Sequence, residues 1–300
     1  MRIAVLLTGR ILVDVAGRIR ECFPGADFYG HTWSDDVSPI KLSDIIEEHV
    51  TKNTKEPMNA SPELWKKHIK VNNNVHLVEN YKFVKGMALT SYNELIDDYS
   101  NIQQHIPEGC SPYYISLMSQ FLSLKYALSE LKKSSKQYDI VVKWRWDLVG
   151  NTDMSEFLSA QLENFDGMMV PWHVKDECAK EALDRLNSLD NVSMNYMPER
   201  TGETWFALKW KDLHLLDTFY KSYSDVLLER IQYDKHSPDA EGYFALMLSR
   251  NNIKTAVAGH DQGIWCDIVR PYHPKDVDVL ELKDVIHNAW FQGIIDLEKN

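Results

Sequence analysis

The chain contains, at residues 138–148, the segment YDIVVKWRWDL, in which a run of apolar residues ends in charged ones. Consecutive apolar residues such as Ile140 to Val142 are typical of a strand that is buried on both faces of a parallel sheet. A long helix is predicted just before it, beginning at Ser111-Pro112. Its apolar residues fall at helical spacing: Leu117, Phe121, Leu124, Leu128 and Leu131. A helix that leads into a buried strand predicts an α/β fold.

Further candidate strands and one more helix alternate along the rest of the chain. The strands are predicted at residues 3–7, 26–29, 167–170, 204–208 and 253–257, and the helix at 238–250, capped by Ser237. The sequence shows no internal repeat and no low-complexity linker. We therefore expect a single domain over residues 1–300, with a central, mostly parallel sheet flanked by helices.

Composition limits the classes of protein to which the chain can belong. The net charge of −11 argues against a surface built mainly for nucleic-acid phosphates, because nonspecific affinity for nucleic acids comes from Lys and Arg. No run of about 18 apolar residues occurs, so no membrane span is expected. The first residues lack the pattern of a secretory signal, and the four cysteines form no CxxC pair, so a cytoplasmic protein with reduced thiols is expected.

Arg145 and Asp147 follow the apolar run of the quoted segment. Open α/β sheets bind ligands beyond the carboxyl ends of their strands. A carboxylate there can hold a divalent ion that bridges two phosphates, and an arginine can bind a phosphate oxygen through its forked N–H groups. An Arg–Asp ion pair that closes the strand explains the pattern equally well, so both interpretations stay open.

Two earlier strand ends also carry polar chemistry. After the first strand, Gly9 allows backbone N–H groups to approach a ligand closely, and Arg10 can meet a phosphate. After the second, His31-Thr32-Trp33 offers hydrogen-bonding groups and a ring that can stack on a base or sugar. A simple turn and a structural histidine explain each site taken alone. In one parallel sheet, however, these ends would converge at the same edge.

Four segments occur in a fixed order along the chain: LLTGR at 6–10, YGHTW at 29–33, QFLSLK at 120–125 and YDIVVKWRWD at 138–147. This order resembles a family of bacterial and bacteriophage glycosyltransferases with a GT-A-like, Rossmann-like fold, most closely over the first half of the chain. The resemblance implies a nucleotide-sugar donor site. The donor-binding residues would be Thr8, Gly9, Arg10, His31, Thr32, Trp33, Gln120, Ser123 and Lys125.

The resemblance also implies a metal site. Arg145 and Asp147 would stand where many GT-A enzymes have an Asp-x-Asp motif, so Asp147 is the one carboxylate expected to bind Mn²⁺ or Mg²⁺. The sequence departs from the motif at position 145, which puts metal dependence in doubt. Lys125, Arg145 and the ion at Asp147 are expected to stabilise the leaving diphosphate.

An inverting transfer needs a base for the acceptor hydroxyl. Glu241, Asp239 and Asp261, and also Glu203, are candidates, since each lies near a loop or helix start in the second half of the chain. Asp239 and Glu241 can equally be acidic residues that match a helix dipole. We therefore expect residues 1–150 to bind the donor and residues 151–300 to bind the acceptor, with catalysis shared between Asp147, Arg145 and one of these carboxylates.

The acceptor stays undecided between a glycan and a hydroxymethylated base in phage DNA, which would have to leave the duplex stack. A second hypothesis is a non-catalytic module that binds a nucleotide sugar or a glycan. A third is another nucleotide-using enzyme, such as a phosphotransferase. The absence of a GxxxxGK[ST] segment argues against a P-loop enzyme.

Overall fold

The computed structural model describes residues 1–11, 14–34, 75–91, 94, 113–150, 153–171, 204–219, 225–226, 244, 247–248, 250–258 and 266–268. Its strands are β1 (Ile3–Thr8), β2 (Asp27–Trp33), β3 (Val84–Thr90), β4 (Ile140–Arg145), β5 (Leu148–Gly150), β6 (Met168–Pro171), β7 (Phe206–Lys209), β8 (Thr255–Ala258) and β9 (Cys266–Ile268). Its helices are α1 (Ala16–Cys22), α2 (Tyr113–Lys133) and α3 (Met154–Leu162), with short 3₁₀ helices at Val75–Tyr81 and Trp210–Asp212.

Seven of the strands form one sheet in the order β3-β2-β1-β4-β7-β6-β8. The pairs β1–β2, β2–β3, β1–β4 and β6–β8 are parallel, whereas β7 runs antiparallel to both of its neighbours. The strands β5 and β9 pair separately, antiparallel to each other. The predicted α/β class, with a central and mostly parallel sheet flanked by helices, is confirmed.

Each face of the sheet buries its own apolar core. On one face, α2 packs Phe121, Leu124, Leu128 and Leu131 against Leu6 and other strand residues. On the other face, α1 and α3 pack against strand residues that include Val5, Val142 and Trp144. Successive residues of a strand point to opposite faces, so a continuous apolar run is required wherever both faces are covered. This is why β1 and β4 could be predicted from the sequence.

The structure corrects the predicted limits of β2. We expected the strand to end near Tyr29, where polar and aromatic residues begin, but it continues to Trp33 and residues 28–33 are all buried. The predictions missed β3, α1 and α3 altogether; α3 begins at an N-cap, Asp153, whose side chain accepts a hydrogen bond from the Glu156 N–H at 3.1 Å.

Other predictions have mixed outcomes. Of the helix expected at 238–250, the described residues Phe244, Met247, Leu248 and Arg250 are helical, while its cap lies outside the described residues. Cys22 and Cys266 are free thiols. The other two cysteines, Cys110 and Cys178, lie outside the described residues. Within the described part of the chain, no helix has both the length and the apolar character that a membrane crossing requires.

Candidate functional site

A cleft opens at the carboxyl ends of β1, β2 and β4, beside the first half of α2. Its cavity volume is about 50 Å³, and the space between its walls is about 460 Å³ when open solvent is included. The register of β1 against β4 places Thr8 opposite Arg145, which brings two of the predicted strand ends together. The residues that line the cleft are Thr8, Gly9, Arg10, Trp33, Ser119, Gln120, Lys143, Arg145 and Asp147. The expected convergence at one edge of the sheet is therefore present in the structure.

Arg145 and Asp147 form a two-pronged ion pair within this cleft. The Nε and Nη2 atoms of Arg145 donate to Oδ1 and Oδ2 of Asp147 at 2.8 and 2.9 Å. Asp147 lies on the turn between β4 and β5 and is 1% exposed, while the Arg145 side chain is 20% exposed. Forked pairs of this kind fix orientation as well as supplying charge–charge attraction. The carboxylate therefore holds the plane of the guanidinium at the cleft wall.

Lys143 adds a cation that the sequence analysis did not assign to the site. It is 4% exposed, and its Nζ donates to the backbone oxygen of Thr204 at 3.1 Å. A lysine inside an otherwise apolar strand is rarely buried without a function or a partner, but the sequence alone does not show that Lys143 is buried. Among the described lining residues, Arg10, Lys143 and Arg145 are three cations against the one carboxylate of Asp147, a net charge of +2 in a chain of −11.

A buried chain of hydrogen bonds supports the cleft from behind. The Gly9 N–H donates to Ser123 Oγ at 2.6 Å, Ser123 Oγ lies 2.8 Å from Nδ1 of His31, and Nε2 of His31 lies 2.7 Å from Thr90 Oγ1. Gly9 has a φ of +93°, a conformation that favours glycine. Burial lowers the pKa of His31 to about 3, so the imidazole is neutral near pH 7.

Trp146 positions the turn that carries the ion pair. Its indole N–H donates to the backbone oxygen of His31 at 2.8 Å, and its ring meets Tyr81 edge-on at 4.9 Å between centroids. The same ring lies so close to Gly30 that it occupies the space of a side chain there. The residue between Arg145 and Asp147 is therefore anchored to β2.

The structure brings together seven of the predicted site residues in the lining: Thr8, Gly9, Arg10, Trp33, Gln120, Arg145 and Asp147. His31, Thr32 and Ser123 are fully buried and lie outside the lining. Lys125 also lies outside it, exposed on α2 with its Nζ 5.7 Å from the centre of the Tyr126 ring. The predicted catalytic candidates Asp239, Glu241 and Asp261 lie outside the described residues, as does Glu203.

The donor set in the described residues does not fit the expected Mn²⁺ or Mg²⁺ site. Both carboxylate oxygens of Asp147 accept hydrogen bonds from Arg145. Within the described ranges, no three His, Cys, Asp or Glu side chains come together as a metal-binding group. Hard divalent ions need several oxygen ligands, and Asp147 is the one carboxylate among the described residues of the cleft lining.

No protein-family model matches the chain, and no curated protein sequence is significantly similar to it. Among solved structures, the crystal structure of mouse xyloside xylosyltransferase 1 in its apo form is similar to the chain at a TM-score of 0.39 and 9% sequence identity. The similarity covers 87% of this chain and 86% of that chain. At this TM-score the likeness carries no argument about activity.

Proposed function

We propose that this protein is a glycosyltransferase that binds a nucleotide-sugar donor in the cleft at the carboxyl ends of β1, β2 and β4. The cationic lining carries the proposal: Arg10, Lys143 and Arg145 surround a cleft at the sheet edge where open α/β folds bind ligands. Trp33 and Gln120 add a ring and an amide that can contact a base or a sugar. A doubly charged diphosphate linked to polar rings has the chemistry that this lining complements.

The transfer step itself is a displacement at the anomeric carbon. The bond from that carbon to the diphosphate oxygen breaks, a bond to the acceptor oxygen forms, and the acceptor proton leaves to a base or to solvent. The negative charge that develops on the diphosphate is stabilised by cations already fixed in place. Asp239, Glu241 and Asp261 are our candidates for the base, residues 151–300 for the acceptor side, and a glycan or a hydroxymethylated base for the acceptor.

A non-catalytic module that binds a nucleotide sugar is the second candidate. One observation favours it: the carboxylate of the described cleft lining, Asp147, is held by Arg145 and is therefore poorly suited to accept a proton. A binding module needs the cations and the aromatic ring of the cleft but neither a base nor a metal ion.

The decisive experiment measures the release of nucleoside diphosphate from a panel of UDP-, GDP-, CDP- and dTDP-linked sugars, together with the melting temperature in each donor. A donor that binds only the native state raises the melting temperature. We expect at least one donor to do so, and Arg145→Ala to remove the shift. The control is Lys133→Ala, at the far end of α2, where the side chain is 67% exposed and pairs with Glu130.

The two candidates give different results in this experiment. A glycosyltransferase releases the diphosphate when acceptor is supplied, and slowly by hydrolysis when it is not. A binding module shows the thermal shift without any release. If no donor stabilises the wild type, both candidates are wrong, and the Arg145–Asp147 pair is simply the ion pair that closes β4.

A further inference from the structure

We propose that the diphosphate of the donor is held by side-chain cations, with Arg10, Lys143 and Arg145 contacting its oxygens and Asp147 acting as the positioning residue for Arg145 instead of a metal ligand. The inference rests on the proposed function, because it specifies how the same cleft recognises its ligand. It reverses the role that the resemblance implies for Asp147, and it gives Lys143 a binding role that the sequence did not indicate.

The geometry of the Arg145–Asp147 ion pair argues against a metal ion at Asp147. Both oxygens of Asp147 already accept N–H groups of one guanidinium, at 2.8 and 2.9 Å. Metal–oxygen bonds of about 2.1 Å would place a divalent ion within about 5 Å of those nitrogen atoms. Charge–charge repulsion at that distance is substantial in a site as buried as this one. A metal at Asp147 would thus have to displace Arg145 or bind against its charge.

The cationic side chains of the lining project into the same cleft. Lys143 and Arg145 are two residues apart on β4, so both project from the same face of the sheet, toward the cleft and α2. A guanidinium carries N–H donors in a fixed fork and an ammonium carries three N–H donors, and both groups suit phosphate oxygens. Arg10 approaches from the loop that follows β1. Three cations from two adjacent strand ends therefore surround one volume.

The burial and charge of Lys143 also favour an anionic ligand in the cleft. Lys143 is 4% exposed, and keeping an ammonium ion away from water is costly unless hydrogen bonds and opposite charge compensate for it. The Thr204 carbonyl supplies one hydrogen bond to this ammonium. A diphosphate brings about two negative charges into a lining whose net charge is +2. Ligand and cleft thus neutralise each other without a third ion.

The test is a set of binding titrations with UDP, GDP, ADP, CDP and dTDP, and with inorganic pyrophosphate, each in EDTA and in Mn²⁺. We expect the wild type to bind one nucleoside diphosphate in EDTA with a Kd within threefold of its value in Mn²⁺. Lys143→Met and Arg10→Gln should each weaken that binding about tenfold or more. Lys133→Ala should leave it unchanged.

The positioning role of Asp147 has its own readout. Asp147→Asn should weaken binding equally in EDTA and in Mn²⁺. Arg145→Lys keeps the charge but loses the fork, so it should weaken binding by a similar factor. The double variant should lose little more than either single variant, because both changes remove the same oriented guanidinium. Circular dichroism and melting temperatures verify that each variant is folded, and Arg10→Gln, in a loop, tests the cations even if a β4 variant fails to fold.

Two outcomes would overturn the inference, and only the second would also contradict the proposed function. If EDTA abolishes wild-type binding, Mn²⁺ restores it, and Asp147→Asn loses only the part that depends on Mn²⁺, then Asp147 is a metal ligand, while the donor site stands. If no nucleoside diphosphate binds with or without Mn²⁺, the proposed function fails, and the inference fails with it.

Discussion

His31 is a histidine whose role is set by burial. Its ring lies between the hydroxyl groups of Ser123 and Thr90 and stacks on Tyr126 at 5.0 Å between centroids. A charged imidazole in this place would lose its hydration and find two neutral hydroxyl groups in exchange. Since Ser123 also accepts the Gly9 N–H, neutral His31 fixes the turn that borders the cleft.

This burial predicts an acid sensitivity. The pKa of His31 is about 3 in the folded state, below the ordinary value of 6.5, so the unfolded chain binds more protons between those values. The stability that comes from neutral His31 is complete above pH 6.5 and is lost progressively as the pH falls toward 3. The free energy of unfolding should fall by about 1.4 kcal/mol per pH unit from this group.

Denaturant melts of the wild type and His31→Gln at several pH values between 4 and 7 measure the effect. The variant should be less stable at pH 7 but should show a shallower loss in acid. His214→Gln is the matched control, because His214 is exposed. Equal slopes for all three proteins would show that His31 is not kept neutral by the fold.

Gly30 gives a second prediction at this scale. A Cβ there would lie 2.6 Å from Cζ2 and 2.7 Å from Cη2 of Trp146, a ring that is fully buried. We expect Gly30→Ala to lower the free energy of unfolding by about 1–3 kcal/mol through overpacking. Because Trp146 lies between Arg145 and Asp147, donor-induced thermal shifts should shrink as well.

The control for this change is Gly17→Ala on α1. A Cβ at Gly17 meets nothing within 4 Å, and alanine is the better helix former by about 1 kcal/mol. Thermal melts should therefore move in opposite directions for the two alanine variants. A Gly30→Ala protein as stable as the wild type would mean that the Trp146 ring moves freely.

Lys125 and Lys143 show what the sequence could and could not predict about single residues. Lys125 is five residues beyond Gln120 on α2, which places it about 140° around the helix, so helical geometry already argues against a shared cleft. Lys143 was hidden because its environment is built by distant partners: Thr204, whose carbonyl it contacts, is 61 residues away. Sequence patterns report periodicity well and tertiary partners poorly.

At the scale of elements, β2 illustrates the same limit. Its polar residues Thr32 and His31 argue against a buried strand, yet both are fully buried. The hydroxyl groups that satisfy His31 come from α2 and from β3, and neither pairing is visible in the local pattern. Strand β3 was itself missed, because at the sheet edge it needs no continuous apolar run; its Leu89 is 48% exposed.

A polar cluster ties β2 to β3 and to the segment that leads into β4. Asp27 accepts hydrogen bonds from Lys85, from Lys136 at 3.0 Å and from the Tyr138 hydroxyl at 2.9 Å. Burial alone would raise the pKa of Asp27, but these hydrogen bonds outweigh it and lower the pKa to about 2. The carboxylate therefore binds three elements together while it stays ionised.

The contribution of Asp27 to the free energy of unfolding depends on pH in the way that is usual for a paired carboxylate. Since its folded pKa lies below the ordinary value of 3.8, its stabilising effect is present above about pH 4 and disappears as the pH falls toward 2. We expect Asp27→Asn to reduce the free energy of unfolding at pH 7 by on the order of 1–2 kcal/mol, since both lysines are partly exposed. Chemical denaturation at pH 7 and at the lowest pH where the protein stays folded measures this.

The matched control is Glu21→Gln, which breaks an exposed pair with Arg18. Its cost should be below about 0.5 kcal/mol, as for other surface pairs. If both substitutions cost the same, the cluster around Asp27 is no more than surface charge.

For the whole molecule, charge separates the two proposed acceptors. The chain has 44 acidic and 33 basic residues, so its net charge repels a phosphate backbone, although the described lining of the cleft is cationic. We expect gel-shift titrations at 0.15 M salt to show no change in the mobility of duplex DNA, even at about 100 μM protein. Retention at micromolar protein, especially of duplexes with hydroxymethylated bases, would instead favour the DNA acceptor over a glycan.

The sequence predicted the α/β class of the fold but not the order of the strands in the sheet. Apolar runs predicted β1 and β4, and helical spacing predicted α2, because local periodicity and burial coincide there. The position of antiparallel β7 between β4 and β6 depends on pairings such as Val142 with Ala207, which no local pattern encodes. The candidate cleft follows the same division: the strand-end residues Thr8 and Arg145 line it together, whereas His31 and Ser123, predicted as donor-binding residues, are fully buried outside its lining.

Lys143 has a consequence for how the chain finds its strand alignment. It pairs opposite Leu6, while its neighbours Val142 and Trp144 face the core under α1 and α3. Sliding β4 by one residue would exchange the two faces, forcing the ammonium into that core and turning Trp144 toward α2. The apolar residues around it are interchangeable enough to tolerate such a slip, but a desolvated cation is not. The same lysine that we propose for anion binding would thus penalise misaligned sheets during folding.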